Sequence, residues 1–298
     1  MVRVTELGYL GFSVTDMDAW KDYATECVGF DVIDEGEGDR FYARMDNWHH
    51  RLVFHKSKED DLAYAGWRVA GPDELEAMAK QLKDAGIKFK VGTEEEAQER
   101  RVLGLLKLLD PGGTPTEIFY SPQVDTHLPF RPGRRMYGGF ITGSEGIGHF
   151  ISRQDDVDAA YKFYSLLGLR GSVEYKLNLP NGMVAKPLFM HCNDRQHSIA
   201  FGLGPMDKRI NHLMLEYTHV DDLGLAHDII RGRKIPVALQ MGKHANDEAV
   251  TFYSGTPSGW LMELGWGARK AMAQQEHYVK DIFGHGTEST GFGMDLEL

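Results

Sequence analysis

The chain has 298 residues, 42% of them hydrophobic and 26% charged, with a formal net charge of −11, and this length is sufficient for one large domain or two ordinary ones. No apolar run reaches the roughly 18 residues of a membrane span, and the N-terminus lacks the apolar core of a signal peptide. Because no basic cluster stands out, and because the two cysteines form neither a disulfide framework nor a CxxC motif, we expect a cytoplasmic protein with no nucleic-acid partner.

The first half of the chain contains two similar units. The first begins with a strand at Leu7-Gly8-Tyr9. Residues 15–30 then have an acidic start, apolar residues at helical spacing and a Gly-Phe end, which is typical of a capped helix. The second unit spans residues 66–89, in the order strand, acidic cap, helix, strand. Short runs of alternating apolar residues after each helix predict further strands.

The same two units occur again in the second half of the chain. Residues 121–140 combine Pro, Gly and Arg without periodicity, which predicts a boundary between domains. Beyond them, a strand at Ile147-Gly148-His149 precedes a helix at 154–169. Residues 212–237 then repeat the layout of the second unit.

These repeats predict the architecture of the whole protein. Each unit is a strand, a helix and three further strands, and one such unit is too small to form a comfortable domain alone. We therefore predict an α+β fold of four repeated βαβββ modules paired into two domains. The N-terminal domain would comprise residues 1–135, and the C-terminal domain would comprise residues 136–298.

Three residues of the second half are candidates for a metal site. Glu263 lies in an apolar run, where a buried carboxylate needs a positive partner. His149 and His212 lie on first strands of their units. Two imidazoles and one carboxylate on one side of an ion leave its other side open, which suits non-haem Fe(II). The alternative is structural, with hydrogen-bonded histidines and a Glu263 paired with an Arg or a helix terminus.

Comparison of the two halves favours the metal hypothesis for the second half. Glu117 aligns with Glu263, whereas Tyr9 aligns with His149 and Gly66 aligns with His212. A metal site needs the complete set, so we predict that only the C-terminal domain binds a metal.

Residues 242–263 resemble the signature of the type I extradiol ring-cleavage dioxygenases. They contain Gly-x-His, seven residues, Phe-Tyr, Thr-Pro-x-Gly, three residues and Glu. The resemblance covers nearly the whole chain and includes GSEGIGHF, INHLMLEY and the FGHG near the C-terminus. This family has the vicinal oxygen chelate (glyoxalase-like) fold, which is built from βαβββ modules and agrees with the repeat.

The resemblance implies a role for nine residues. They are the metal ligands His149, His212 and Glu263, the acid–base His197, the substrate contacts His244 and Tyr253, the neighbouring Asn246 and Asp247, and the pocket-wall Phe189. Asp247 is expected to orient a histidine. Many relatives have two adjacent histidines where this chain has Gln196-His197, and the second of them carries the catalytic role.

The implied function is extradiol cleavage of a catechol by O2, with Fe(II), or alternatively Mn(II), as cofactor. The implied substrate is biphenyl-2,3-diol, cleaved to 2-hydroxy-6-oxo-6-phenylhexa-2,4-dienoate. 1,2-Dihydroxynaphthalene, 2,2',3-trihydroxybiphenyl and 3-methylcatechol remain alternatives. The resemblance also implies a homo-oligomer, an octamer. Rival hypotheses on the same fold are a metal-dependent isomerase or thiol transferase and a non-catalytic module that binds an aromatic ligand.

Overall fold

The computed structural model describes residues 1–178 and 184–286, and these contain the four predicted modules in chain order. The first module consists of β1 (Glu6–Val14), α1 (Met17–Asp22), a π-helical turn (Tyr23–Val28), β2 (Asp31–Ile33), β3 (Arg40–Arg44) and β4 (Leu52–Lys56). The second consists of β5 (Asp61–Arg68), α2 (Pro72–Asp84), β6 (Phe89–Val91), an additional helix α3 (Glu94–Glu99), β7 (Val102–Leu109) and β8 (Pro115–Pro122).

The two modules of the second half follow a short 3₁₀ turn (Gly143–Glu145). The third consists of β9 (His149–Ser152), α4 (Val157–Leu166), β10 (Arg170–Tyr175), the short pair β11 (Leu177–Asn178) and β12 (Val184–Ala185), β13 (Leu188–His191) and β14 (Ile199–Phe201). The fourth consists of β15 (Ile210–Tyr217), α5 (Val220–Gly232), β16 (Val237–Lys243), β17 (Val250–Gly255) and β18 (Leu261–Trp266). It is followed by β19 (Glu276–Tyr278). No helix of the described ranges is long and apolar enough to cross a bilayer.

The helices begin and end where the sequence pattern predicts. Asp16 caps α1 and Asp156 caps α4, because each carboxylate accepts a 2.9 Å hydrogen bond from the backbone N–H three residues later. Gly29 and Gly168 both have φ of +96°, a left-handed conformation that glycine adopts without steric cost.

Each half of the chain forms its own mixed sheet, and the predicted α+β fold is thereby confirmed. The first sheet has the order β2-β3-β4-β1-β5-β8-β7-β6, and the second has the order β16-β17-β18-β15-β9-β14-β13-β10-β19. In each, the first strands of two modules pair antiparallel, β1 with β5 and β9 with β15. The division between residues 135 and 136 stays a prediction.

The two halves share one hydrophobic core. Trp20 of the first half lies with its ring centroid 5.2 Å from that of Trp260 in the second half. The Trp20 indole also donates a 2.7 Å hydrogen bond to Ser258 Oγ. The Tyr217 hydroxyl donates to the carbonyl of Val28 at 2.8 Å. These contacts hold the end of the second sheet against the first one.

The pairing of the strands corrects one part of the internal comparison. In the first sheet Tyr9 of β1 pairs with Gly66 of β5, and in the second sheet His149 of β9 pairs with Met214 of β15. Because Tyr9 is equivalent to His149, Gly66 is equivalent to Met214. The counterpart of His212 is therefore Tyr64, and the predicted equivalence of Gly66 and His212 is wrong. The apolar sequences of β5 and β15 do not define how the two strands align with each other. An alignment error of two residues keeps every side chain on the same face of the strand, so the pattern does not reveal it.

Candidate active site

Adjacent strands of the second sheet bring the three candidate metal ligands together. In the order β18-β15-β9, Met214 of the central strand pairs with Glu263 on one side and with His149 on the other. His212 lies two residues before Met214 and therefore on the same face of the strand. The ligand atoms of His149, His212 and Glu263 all lie within 4.8 Å of one another.

The contacts among these residues fit a shared metal ion. Glu263 Oε2 lies 3.3 Å from His149 Nε2 and 3.2 Å from His212 Nε2. Neither contact has hydrogen-bond geometry, and Oε2 is a buried oxygen without a hydrogen-bond partner among the described residues. Buried oxygens normally have a partner. Two nitrogens and one oxygen directed at a common point are the donor set expected of such an ion.

Burial and hydrogen bonding keep both histidines suited to this role. Burial lowers the pKa of His149 to about 4, so its imidazole is neutral at neutral pH. His212 Nδ1 lies 2.8 Å from the side-chain oxygen of Asn211. Since that oxygen only accepts, Nδ1 carries the proton and the Nε2 lone pair faces Glu263.

All nine residues predicted for the site line one cavity of about 180 Å³. Apolar side chains make up much of the remaining wall, and they are Ile151, Pro187, Leu203, Leu239 and Leu261. The polar lining residues that the sequence did not point to are Tyr175, Asn211, Lys280 and Asp281. A largely apolar pocket with a few convergent polar groups is typical of small-molecule sites.

His197 presents an unpaired nitrogen inside this cavity. Its Nδ1 donates a 2.5 Å hydrogen bond to the side-chain oxygen of Gln196. Its Nε2 is buried and has no hydrogen-bond partner in the described ranges. Burial, reinforced by the neighbouring His149, holds the pKa of His197 well below its usual range. The imidazole is therefore neutral, with the Nε2 lone pair free to accept a proton. The Phe189 ring packs edge-on against it, with centroids 4.8 Å apart.

A second polar group of the cavity is centred on His244. Its Nε2 lies 2.8 Å from the Tyr253 hydroxyl and 3.1 Å from Glu263 Oε1. Its Nδ1 lies 3.0 Å from Asp281 Oδ1. Burial alone would lower the pKa of His244, but hydrogen bonds to these two carboxylates hold it well above its usual range.

The expected role of Asp247 is wrong in one respect. The carboxylate accepts from the backbone N–H of Ala249 at 3.0 Å, and within the described residues it makes no hydrogen bond to a histidine. The carboxylate that contacts His244 is Asp281, 37 positions further along the chain. Nothing in the local pattern around Asp281 distinguishes it, although His285 nearby belongs to the FGHG motif that carried part of the resemblance.

The equivalent position in the first half contains an arginine. Arg100 donates from Nε to Glu117 Oε2 and from Nη2 to Glu117 Oε1, both at 3.0 Å. The Tyr9 hydroxyl donates to the same carboxylate at 2.7 Å. The Arg100 guanidinium carbon also lies 3.7 Å from the centroid of the Tyr64 ring. The guanidinium therefore supplies the positive charge that Glu117 needs, where the second half has two histidines.

Removal of this buried cation should destabilise the protein strongly. Arg100→Ala would leave the Glu117 carboxylate buried and unpaired, so we expect a loss of about 3–5 kcal/mol in the free energy of unfolding. Urea titration of the metal-free protein measures the loss. The matched control is Lys80→Ala, which removes the exposed Lys80–Asp84 ion pair on α2 and should cost under about 1 kcal/mol. Equal losses for the two variants would contradict a stabilising role for Arg100.

Two family profiles match the chain. Residues 7–56 match the one described as Dihydroxybiphenyl dioxygenase BphC D1. Residues 146–264, which contain the three candidate ligands, match the Glyoxalase/Bleomycin resistance protein/Dioxygenase superfamily.

Whole-chain similarities agree with these matches. The chain is 71% identical to the biphenyl-2,3-diol 1,2-dioxygenase of Sphingomonas paucimobilis, over 100% of both chains. It is 69% identical to the 1,2-dihydroxynaphthalene dioxygenase of Sphingobium xenophagum, also over 100% of both. A crystal structure of a catechol 2,3-dioxygenase superimposes with a TM-score of 0.98 at 65% identity, and the match covers 100% of this chain and 99% of that one.

Proposed function

The chain belongs to the extradiol ring-cleavage dioxygenases of the vicinal oxygen chelate superfamily, and we propose that it opens an aryl-substituted catechol with O2, beside the two hydroxyls. The observation that carries the proposal is the convergence of His149, His212 and Glu263 at an apolar cavity beside the unpaired Nε2 of His197. A passive binding module does not need a proton acceptor there, and O2 uptake with a catechol distinguishes a dioxygenase from a metal-dependent isomerase.

The proposed cofactor is Fe(II), held by His149, His212 and Glu263, with Mn(II) as the alternative. The ion would supply positive charge that favours the deprotonated catechol and a redox-active centre for O2. These three residues would hold the ion at the wall of the cavity that they line. The remaining chemistry depends on side chains of the chain itself.

His197 is the proposed acid–base residue. Its neutral imidazole can accept the proton of a catechol hydroxyl at Nε2, because Nδ1 is committed to Gln196. The protonated imidazole can later return that proton to an oxygen atom of the reacting group. Burial makes the imidazolium costly, which favours the return.

His244 and Tyr253 are the proposed holders of the substrate oxygen. The 2.8 Å contact between His244 Nε2 and the Tyr253 hydroxyl places two polar groups beside Glu263. Groups held in place before the substrate arrives stabilise developing charge without further reorganisation. Asn246 and Asp247 would complete the polar end of the cavity, and the apolar wall would exclude water from it.

The proposed substrate is biphenyl-2,3-diol. The cavity wall formed by Phe189 and five aliphatic or proline side chains suits a second ring, and two of the similar enzymes, from Sphingomonas paucimobilis and Sphingobium xenophagum, are named for catechols with a second ring. 1,2-Dihydroxynaphthalene is the second candidate, because enzymes named for it are 69% and 59% identical to this chain. 2,2',3-Trihydroxybiphenyl and 3-methylcatechol are weaker candidates.

Steady-state kinetics with these four catechols test the proposal. We expect O2 uptake, a yellow ring-opened product and the highest kcat/KM with biphenyl-2,3-diol. A preference for 1,2-dihydroxynaphthalene would change the proposed substrate but leave the proposed reaction unchanged. Binding of all four without O2 uptake by metal-loaded protein would overturn the enzyme proposal.

Phe189→Ala should reduce selectivity for the two-ring substrate. Because the Phe189 ring forms part of the apolar wall, we expect kcat/KM for biphenyl-2,3-diol to fall by about 10- to 200-fold, the range for lost apolar contacts. The value for 3-methylcatechol should fall less. Tyr161→Ala removes an exposed aromatic side chain on α4 and is the control. Equal losses for both substrates would mean that Phe189 does not contact the second ring.

We also propose a cytoplasmic homo-octamer, which rests on the resemblance and on the two isolated cysteines. Light scattering on the purified full-length chain gives the mass directly. An octamer of the 33.6 kDa chain would support the proposal, and a stable monomer would contradict it.

A further inference from the structure

Residues 281–286 form a segment that lies along the edge of β16. His244 is the residue that directly follows β16. The backbone N–H of Lys243 donates to the Phe283 carbonyl at 2.7 Å, and that of Ile282 donates to the Lys243 carbonyl at 2.8 Å. The N–H of Gln240 donates to the Gly286 carbonyl at 3.0 Å. The segment is therefore fixed to the strand that positions His244.

Two glycines permit this close contact. A Cβ atom on Gly284 would lie 2.3 Å from the Met241 carbonyl oxygen, and one on Gly242 would lie 2.5 Å from the His285 nitrogen. Gly284 also has φ of +78°, a backbone conformation that residues with a side chain rarely adopt. Both positions therefore exclude larger residues.

Side chains of this segment form a series of hydrogen bonds that reaches the cavity at His244. Asp281 Oδ1 accepts from His244 Nδ1 at 3.0 Å, and Asp281 Oδ2 accepts from His285 Nδ1 at 2.8 Å. His285 is fully buried, and its Nε2 lies 3.0 Å from the Thr251 hydroxyl on β17. Tyr175 donates to Asp281 Oδ1 from the other side at 3.3 Å.

We infer that Asp281 and His285 are positioning residues for His244, and that the C-terminal segment thereby completes the active site. The carboxylate holds the proton of His244 on Nδ1 and fixes the plane of the ring. His244 Nε2 then stays directed at Tyr253 and at the substrate oxygen. His285, anchored on Thr251, fixes the second oxygen of Asp281, so the carboxylate cannot rotate away.

This inference rests on the proposed ring cleavage, so the experiment measures the wild-type enzyme in the same assay. Asp281→Ala should lower kcat about 10- to 100-fold, the range known for residues that orient metal-ligating histidines. KM, metal content and anaerobic catechol binding should stay near wild type. Asp281→Asn keeps an acceptor for His244 Nδ1 and should restore most of the loss. His285→Gln should have a smaller effect in the same direction.

A double-mutant cycle separates positioning from a merely structural role. If Asp281 acts through His244, then Asp281→Ala should lower kcat no further in a His244→Ala background. His277→Ala, an exposed change on β19, is the control and should keep wild-type kcat. Full kcat in Asp281→Ala, loss of its metal, or independent losses in the double variant would overturn the inference. Absence of cleavage by the wild-type enzyme would instead overturn the proposed function.

Discussion

Glu263→Ala should yield a folded protein that holds no metal and cleaves no catechol. The carboxylate is 1% exposed and lies between the imidazoles of His149 and His212. Without it, two imidazole nitrogens remain, and both the third ligand and its negative charge are lost. We expect metal content near zero after dialysis, measured by elemental analysis, and no O2 uptake above background.

A matched pair of substitutions makes this test specific to the second half. Glu263→Gln and Glu117→Gln make the same change at equivalent positions of the two sheets. The first should lose the metal, since a neutral amide is a weak ligand. The second should keep a full equivalent, because Glu117 is paired with Arg100. If Glu263→Ala still holds a full equivalent of metal, the assignment of the three ligands is wrong.

His197→Ala should separate metal binding from catalysis. The side chain lies beside His149 with ring centroids 3.7 Å apart, but its Nε2 is not needed to complete the three-ligand set. We therefore expect unchanged metal content and unchanged anaerobic binding of the catechol. The value of kcat should fall about 10²- to 10⁴-fold, the usual loss when a positioned acid or base is removed.

His191→Ala is the control for this substitution. Its Nδ1 lies 2.8 Å from the carbonyl oxygen of Asn193, in the turn that follows β13. His191 is not among the residues that line the cavity. The control should keep kcat near the wild-type value. A His197→Ala enzyme with wild-type turnover would remove His197 from the proposed mechanism, whereas a loss of metal would make it a ligand.

The sequence predicted those features that depend on local chemistry. Helix caps such as Asp16 and Asp156 need only a short acceptor before a helical pattern, and the fold followed from the repetition of such patterns. The candidate ligands His149, His212 and Glu263 were chosen because a carboxylate in an apolar strand demands a positive partner. The structure brings them together, and their roles stay predictions.

Features that depend on register or on distant contacts were missed. Gly66 was aligned where Tyr64 belongs, because alternation along a strand has a period of two and a two-residue shift preserves it. The resemblance implied that Asp247 orients a histidine, but the carboxylate that contacts His244 belongs to Asp281, which the chain reaches only 37 residues later. Arg100 gave no signal, since it follows α3 and its partner Glu117 lies 17 residues later on β8.

Because of Arg100, the two halves differ in the time at which the buried carboxylate of each obtains its positive partner. The Arg100 cation is part of the polypeptide, so the buried carboxylate of the N-terminal half is compensated as soon as that half has been synthesised. Under the proposed function, the C-terminal half would depend on an ion taken from its surroundings. Scarcity of that ion would therefore stop turnover while the Trp20–Trp260 contact keeps the unfinished half docked on a finished one. Supply of the metal alone would then be expected to restore turnover, without new synthesis.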